Sequence, residues 1–222
     1  MEVLKTFRHE YKFVIPYEEM LRLRSKLDEL LTLDQNGSYQ VRSLYFDSYD
    51  EKDYFDKLHG EMIRKKIRLR IYNINSDKVK LELKGKYDYH QLKESLIISK
   101  QDAKSIINGE YSILLKYNNE LAQRIYLYLN EGYIPKVIIE YERIAYITST
   151  TTRITFDFNI KRSYDFDKFF TNDINYIDVV DGKDVVLEIK FDRFLEPYIV
   201  EILNNYNGRY QSVSKYMMGR NI

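Results

Sequence analysis

Apolar and polar residues alternate along most of this chain, and such alternation is typical of half-buried β-strands. The pattern predicts eight long strands, over residues 4–15, 39–46, 62–73, 78–87, 90–99, 136–147, 152–160 and 184–192. Apolar residues at helical spacing predict helices over residues 17–31, 51–58, 100–107, 118–130, 195–205 and 212–218. Ser99, with Asp102 three residues later, predicts the capped start of the third helix.

Short connections join most of the predicted strands, which favours antiparallel pairing. The fold class is therefore predicted as α+β: an eight-stranded antiparallel β-barrel, closed or nearly closed, with helices packed outside. Residues 1–222 are predicted to form a single domain, because a barrel of this size fits within the usual length of one domain. The interior of an eight-stranded barrel either fills with side chains or holds one ligand.

Charged residues occupy every second position in several of these strands, so each strand has one apolar row and one ionic row. The ionic rows are Arg8, Glu10 and Lys12; Arg64, Lys66, Arg68 and Arg70; Lys78, Lys80, Glu82, Lys84 and Lys86; Gln91, Lys93 and Ser95; Arg153, Thr155 and Asp157; and Glu188 and Lys190.

The ionic rows have two interpretations. In the first, the sheet has its apolar side on the core and its charged side in water. However, neighbouring strands carry mainly Arg and Lys, and like charges across a strand pair destabilise a sheet. The predicted helices also need the apolar rows as a surface to cover. We therefore favour ionic rows that point into the barrel and line a tunnel for a polyanion such as linear phosphate, which Arg and Lys bind well.

Carboxylates interrupt the cationic rows and suggest a metal ion. Mg²⁺ and Mn²⁺ are typically bound by one or two carboxylates together with substrate phosphates. The candidates are Glu10, Glu188, Glu82 and, less directly, Glu140 and Glu142. For Glu82 we favour simple pairing with neighbouring cations.

Composition narrows the function further. The 35 Lys and Arg residues against 34 Asp and Glu give a net charge of +1, which argues against a nucleic-acid binder with a basic surface. The chain has no Cys and three His, which excludes thiolate chemistry and disfavours a His-rich metal site. No membrane segment or signal peptide is found, and together with the absence of Cys this predicts a cytoplasmic location. No Walker A motif is found either. The many Tyr residues are interpreted as packing residues outside the barrel.

Eight short motifs occur in an order that resembles a known family. They are RHEYKF at 8–13, SLYFD at 43–47, RKKIRLRIY at 64–72, LELK at 81–84, IEYER at 139–143, RITFD at 153–157, VLEIKF at 186–191 and SVSKY at 212–216. The series resembles the VTC domain, the polyphosphate polymerase domain within the triphosphate tunnel metalloenzymes, from about residue 5 to residue 218.

The resemblance implies a tunnel enzyme that transfers the γ-phosphate of ATP to inorganic polyphosphate with Mn²⁺ or Mg²⁺. Its implied catalytic residues are Arg68, Arg70, Lys84, Arg153 and Glu188. Its implied substrate-binding residues are Lys12, Lys57, Lys93, Arg143, Lys190, Ser214 and Lys215, and the ionic row adds Arg64. Glu188 is the implied metal ligand, and the pattern of the first strand adds Glu10.

Two alternatives stay open. The first motif, Arg-x-Glu-x-Lys, is also similar to the Glu-x-Glu-x-Lys of the triphosphatase branch, so a triphosphate or nucleoside triphosphate hydrolase is the nearest. A non-catalytic polyphosphate-binding module is the second. A nucleic-acid partner is not expected, because a narrow tunnel admits linear phosphate and excludes bases.

Overall fold

The structure is a computed structural model, and it describes residues 8–87, 90–148, 152–179, 184–204 and 213–220. The strands are β1 (Arg8–Pro16), β2 (Thr32–Ser48), β3 (Ile63–Ile71), β4 (Lys78–Tyr87), β5 (His90–Ser99), β6 (Tyr133–Ile147), β7 (Arg153–Ser163), β8 (Ile177–Asp178) and β9 (Asp184–Asp192). The α-helices are α1 (Tyr17–Leu30), α2 (Lys52–Leu58), α3 (Lys100–Ile107), α4 (Glu120–Asn130), α5 (Pro197–Asn204) and α6 (Lys215–Arg220). Short 3₁₀-helices cover Tyr111–Lys116 and Phe166–Lys168.

The eight predicted long strands are all confirmed, and two-residue β8 is added to them. The predicted start of the first strand and residue 212 of the last helix lie outside the described residues. The largest difference is β2, which begins at Thr32 and not at residue 39. The added part of β2 passes through Gly37, whose φ of +59° is a conformation that glycine adopts readily and other residues rarely do.

Contacts divide the chain into two compact units. Unit 1 comprises Met1–Gln40, Tyr141–Ile160 and Asp178–Ser214, and unit 2 comprises Val41–Glu140, Lys161–Ile177 and Lys215–Ile222. Neither unit is a continuous segment, because β2, β6 and β7 each contribute residues to both.

Unit 1 is an antiparallel sheet with two helices on its apolar face. Its strand order is β1-β9-β7-β6, and β1 pairs with β9 from Arg8↔Asp192 to Pro16↔Asp184. Met20 and Leu27 of α1 and Ile199 of α5 pack with Phe156 and Leu187 of the sheet. The ionic rows of β1, β7 and β9 therefore lie on the face away from these helices.

Unit 2 repeats this arrangement with the strand order β6-β2-β3-β4-β5. Ile106 of α3 and Ile125 of α4 pack with the apolar rows of β3 and β4, which include Ile67 and Leu81. Within the described residues the hydrogen-bonded strands do not close on themselves in either unit. The fold is thus α+β, with a many-stranded antiparallel sheet whose apolar rows are covered by helices, as predicted.

Candidate functional site

Basic residues concentrate on one face of β3, β4 and β5 in unit 2, opposite the apolar rows that α3 and α4 cover, and we call it the cationic face. Direct pairing aligns Arg68 with Glu82, and it aligns Lys66 with Lys84 and Lys84 with Lys93. Two-residue alternation therefore places all of these side chains on one face. The cationic face comprises Arg64, Lys66, Arg68, Arg70, Lys78, Lys80, Lys84, Lys86 and Lys93, and Glu82 is its one carboxylate among the described residues of these strands.

Glu82 is the centre of the cationic face. Its Oε2 accepts a hydrogen bond of 2.6 Å from Nε of Arg68 and lies 3.9 Å from Nε of Arg70. Its Oε1 lies 2.7 Å from Nζ of Lys93. Burial raises the pKa of Glu82, but Arg68, Arg70 and Lys93 outweigh burial and lower the pKa to about 2. The carboxylate therefore stays ionised, and the predicted pairing of Glu82 with its neighbours is what the structure shows.

Lysines form a row beside this cluster. Lys66, Lys84 and Lys93 are directly opposite one another on β3, β4 and β5. Lys93 reaches Glu82, and Nζ of Lys66 lies 5.9 Å from the ring centroid of Tyr216. Three like charges side by side are unfavourable in a sheet, so this row favours an anionic occupant.

Tyr45 lies on the cationic face, and this corrects the prediction that the Tyr residues serve as packing outside the barrel. Nη1 of Arg68, which is directly opposite Tyr45 in the strand pairing, donates a 3.2 Å hydrogen bond to the Tyr45 hydroxyl. Burial raises the pKa of Tyr45, but the charges of Arg68, Arg70 and Lys215 lower it overall. Tyr45 lies in the SLYFD motif. Its alternation with Ser43 along β2 was the sequence signal that could have placed it on this face.

The other predicted residues of unit 2 lie in different surroundings. Arg70 is buried, and its Nε donates to the Ser43 hydroxyl at 3.1 Å. Nη1 of Arg64 donates to the main-chain oxygen of Glu61 at 2.7 Å. Lys57 is half-buried on α2. Lys215 is the first residue of α6 and acts electrostatically on Tyr45. Ser214 belongs to unit 1 and directly precedes α6 in the chain.

Unit 1 contains a second cluster, which we call the carboxylate cluster: Glu10, Glu188, Lys12 and Lys190. Nζ of Lys190 lies 3.3 Å from Oε1 of Glu10 and pairs with Oε1 of Glu188. Nζ of Lys12 lies 3.3 Å from Oε2 of Glu10. β1 and β9 create the cluster, because Lys12 is opposite Glu188 and Glu10 is opposite Lys190.

The carboxylate cluster fits a divalent metal of the kind that the sequence predicts. Glu10 and Glu188 share a single ammonium group, so both carboxylates already face one cation. Two carboxylates are the donor set that Mg²⁺ or Mn²⁺ uses when phosphates complete its coordination. Among the described residues no group of three or more His, Cys, Asp or Glu could hold a metal by itself. A metal here would need further oxygen ligands from water or from a substrate.

Two predicted phosphate ligands of unit 1, Arg143 and Arg153, form ion pairs with carboxylates. The sequence pattern does not predict these pairs. Nε and Nη2 of Arg143 donate to the two oxygens of Asp157 at 2.6 and 2.7 Å. Burial lowers the pKa of Arg143, but Asp157 and other negative groups raise it overall, so Arg143 keeps its charge. Nη2 of Arg153 donates to Asp34 at 2.7 Å and to the Tyr39 hydroxyl at 3.0 Å.

Glu140 and Glu142, the weaker metal candidates, have other partners. Glu140 is buried in unit 2, where its Oε2 accepts from Nε of Arg42 at 2.6 Å and from the Tyr176 hydroxyl at 2.7 Å. Glu142, in unit 1, accepts from the side-chain amide of Asn159 at 2.7 Å. Sequence reasoning did not find the Arg42–Glu140 pair, because the two residues are 98 positions apart.

Comparison with known proteins identifies the fold. A candidate adenylyl cyclase from Hippeastrum with a dominant triphosphatase activity superposes with a TM-score of 0.60 and 16% identity, covering 96% of this chain and 94% of that chain. A candidate adenylate cyclase from Bacillus halodurans gives 0.57 and 17%, covering 92% of each chain. One from Vibrio parahaemolyticus gives 0.54 and 13%, covering 96% and 97%. Comparison with curated protein sequences gives no match.

These similarities establish that the chain shares the fold of these proteins. The family model of the VTC domain matches residues 7–222. The chain therefore belongs to the VTC domain family. No helix in the described part of the chain is long and apolar enough to cross a membrane.

Proposed function

We propose that this protein is a metal-dependent polyphosphate polymerase that transfers the γ-phosphate of ATP to the end of a polyphosphate chain. The observation that carries the proposal is the cationic face, where the single carboxylate of Glu82 forms ion pairs with at least three cations. Membership in the VTC domain family supports the same activity. We also propose that residues 1–222 act as one functional domain.

The charge balance of the cationic face explains why a phosphate chain suits it. Glu82 neutralises one positive charge, whereas Arg68, Arg70 and Lys93 all point to it. The lysine row adds Lys66 and Lys84. A polyphosphate carries negative charges at regular short spacing, and guanidinium groups bind phosphate oxygens in a bidentate manner. A linear polyanion would therefore reduce the repulsion among the Arg and Lys side chains of the cationic face.

The carboxylate cluster is the proposed metal site, with Glu188 and Glu10 as protein ligands for Mn²⁺ or Mg²⁺. A bound ion would neutralise negative charge on phosphate oxygens. Lys190 lies between the two carboxylates and Lys12 beside them, so both can bind substrate phosphate when they leave the glutamates. Arg143 and Arg153 keep their side chains fixed through Asp157 and Asp34.

The proposed reaction needs no protein nucleophile. A terminal phosphate oxygen of the acceptor chain attacks the γ-phosphorus in line, a new P–O bond forms, and the bond to the β-phosphate breaks, releasing ADP. Enzymes catalyse such transfers mainly by positioning and charge stabilisation. Arg68, Arg70, Lys84 and Arg153 are the proposed sources of that stabilisation, with Lys57, Arg64, Ser214 and Lys215 as further substrate contacts.

A hydrolase of triphosphate or nucleoside triphosphates is the second candidate, because the similar Hippeastrum structure is described with a dominant triphosphatase activity. It would use the same cations with water as the acceptor. The distinction therefore rests on the product and not on the site.

Incubation with ATP and Mn²⁺, followed by gel electrophoresis of the products, tests the proposal. Long phosphate polymer and ADP are expected. Inorganic phosphate without polymer would support the hydrolase, and binding of polyphosphate without ATP consumption would support a binding module. Arg70→Ala and Glu188→Ala are expected to abolish turnover while the protein stays folded, with exposed Arg22→Ala as the control. Normal ATP consumption by either site variant would refute the assignment of that residue.

A further inference from the structure

Two hydrogen bonds of Arg68, one to a carboxylate and one to a phenolic hydroxyl, orient its guanidinium. Glu82 accepts from Nε at 2.6 Å, and the Tyr45 hydroxyl accepts from Nη1 at 3.2 Å. The carbon at the centre of the guanidinium lies 5.8 Å from the Tyr45 ring centroid. These contacts fix the plane of the guanidinium, because rotation about the side chain would break at least one hydrogen bond.

Tyr45 is itself held by α6. Its ring stacks on that of Tyr216, with centroids 5.4 Å apart and an interplanar angle of 27°. Tyr216 is 1% exposed and Tyr45 is 4% exposed, so neither ring has room to move without the other. Tyr54 also packs against Tyr216, in an edge-to-face contact with ring centroids 6.3 Å apart.

Tyr216 is anchored in turn by Asp47. The Tyr216 hydroxyl donates to Oδ2 of Asp47 at 2.5 Å. The same carboxylate accepts the main-chain N–H groups of Ser48, Asp53 and Tyr54 at 2.7, 2.9 and 2.9 Å. Asp47 is fully buried, so its orientation is set by the start of α2. Burial and the nearby Asp47 charge raise the pKa of Tyr216, which keeps the hydroxyl protonated as a donor.

We propose that Asp47, Tyr216 and Tyr45 form a positioning relay that holds the Arg68 guanidinium in the orientation in which it binds substrate phosphate. The relay joins α2 and α6 to the cationic face, all within unit 2. None of its three members needs to touch the substrate; they act through Arg68. The inference rests on the proposed function only in taking Arg68 as a phosphate ligand.

A double-mutant cycle measured by calorimetric binding of inorganic tripolyphosphate tests the relay. Tyr45→Phe removes the hydroxyl and keeps the stacked ring. We expect it to weaken tripolyphosphate binding about 3- to 10-fold, the size of one hydrogen bond. In an Arg68→Ala background the same change is expected to weaken binding less than about 2-fold, because the residue through which Tyr45 acts is gone. Tyr216→Phe is expected to behave in the same way.

Tyr111→Phe is the matched control, since its hydroxyl donates to a main-chain oxygen of Tyr133 at 3.1 Å in the same unit and does not join the relay. It is expected to leave binding unchanged. Equal losses from Tyr45→Phe with and without Arg68 would show a merely structural role and overturn the relay, as would unchanged binding in Tyr45→Phe.

The outcomes separate the relay from the proposed polymerase. Wild-type protein that binds tripolyphosphate but makes no polymer would refute the polymerase, and the double-mutant cycle would remain a valid test of the relay. Wild-type protein that makes polymer while Tyr45→Phe binds and turns over normally would refute the relay alone. Absence of tripolyphosphate binding by the wild-type protein would refute the relay, because Arg68 would then not be a phosphate ligand.

Discussion

Replacement of Glu82 by Gln tests how much one carboxylate stabilises the cationic face. Glu82 is 1% exposed and lies within 4 Å of cationic nitrogens from Arg68, Arg70 and Lys93. Glutamine has nearly the same shape, so packing is preserved and the negative charge alone is lost. The three cations then repel one another without a buried counter-charge.

The magnitude follows from the pKa. The ordinary value for this carboxyl is 4.5, and its surroundings lower it to about 2. This difference corresponds to about 3 kcal/mol of folding free energy. Because the folded-state pKa is the lower one, the contribution is fully present above about pH 5 and is lost as pH falls towards about 2. Glu82→Gln is therefore expected to cost about 3 kcal/mol at pH 7 and much less at pH 2.

Urea unfolding of both proteins, followed by tyrosine fluorescence from pH 2 to pH 7, measures this difference. Other carboxylates titrate in both proteins, so the difference curve isolates Glu82. Asp173→Asn is the control: Asp173 is exposed and pairs with Lys168 at 3.1 Å, and exposed pairs contribute about 1 kcal/mol or less. A loss below about 1 kcal/mol for Glu82→Gln, or a loss that does not change with pH, would refute the reasoning.

Three further predictions concern packing and charge. Arg143→Lys cannot keep both hydrogen bonds to Asp157 and is expected to lower the free energy of unfolding by about 3 kcal/mol, measured by urea denaturation. Burial raises the pKa of Asp53 to about 6, so wild-type stability relative to Asp53→Asn should rise as pH falls from about 7 to 4; a flat difference would contradict this. Gly219→Ala places a Cβ in steric overlap with Cδ1 of buried Ile139, so thermal unfolding should show a loss of about 1–3 kcal/mol that Ile139→Val, which lacks Cδ1, partly restores.

The alternation of charges along the strands was sufficient to predict the ionic rows. Successive strand residues point to opposite faces whatever the fold, so Arg68, Arg70 and Lys84 had to share their rows with the other cations of β3 and β4. Lys65 interrupts the apolar row of β3, and the structure shows how this is tolerated: Nζ of Lys65 lies 3.2 Å from Oδ1 of buried Asp53. Such a partner could not be predicted from the strand alone.

Local signals also located most helices and their ends. The predicted Ser99 cap at the start of α3 forms, with the Ser99 hydroxyl accepting from the main-chain N–H of Asp102 at 3.0 Å. The start of β2 was placed too late, because the strand begins at Thr32 and not at residue 39.

The sequence by itself thus determined the strands, their two faces and the kind of ligand that a row of Arg and Lys suits, because all of these depend on residues close together in the chain. Only the tertiary structure decided which charges meet. Strand pairing set Glu82 among its three cations and aligned Lys66, Lys84 and Lys93. The contact between Tyr216 and Asp47 joins residues 169 positions apart, and no periodicity in the sequence reports a contact of that range.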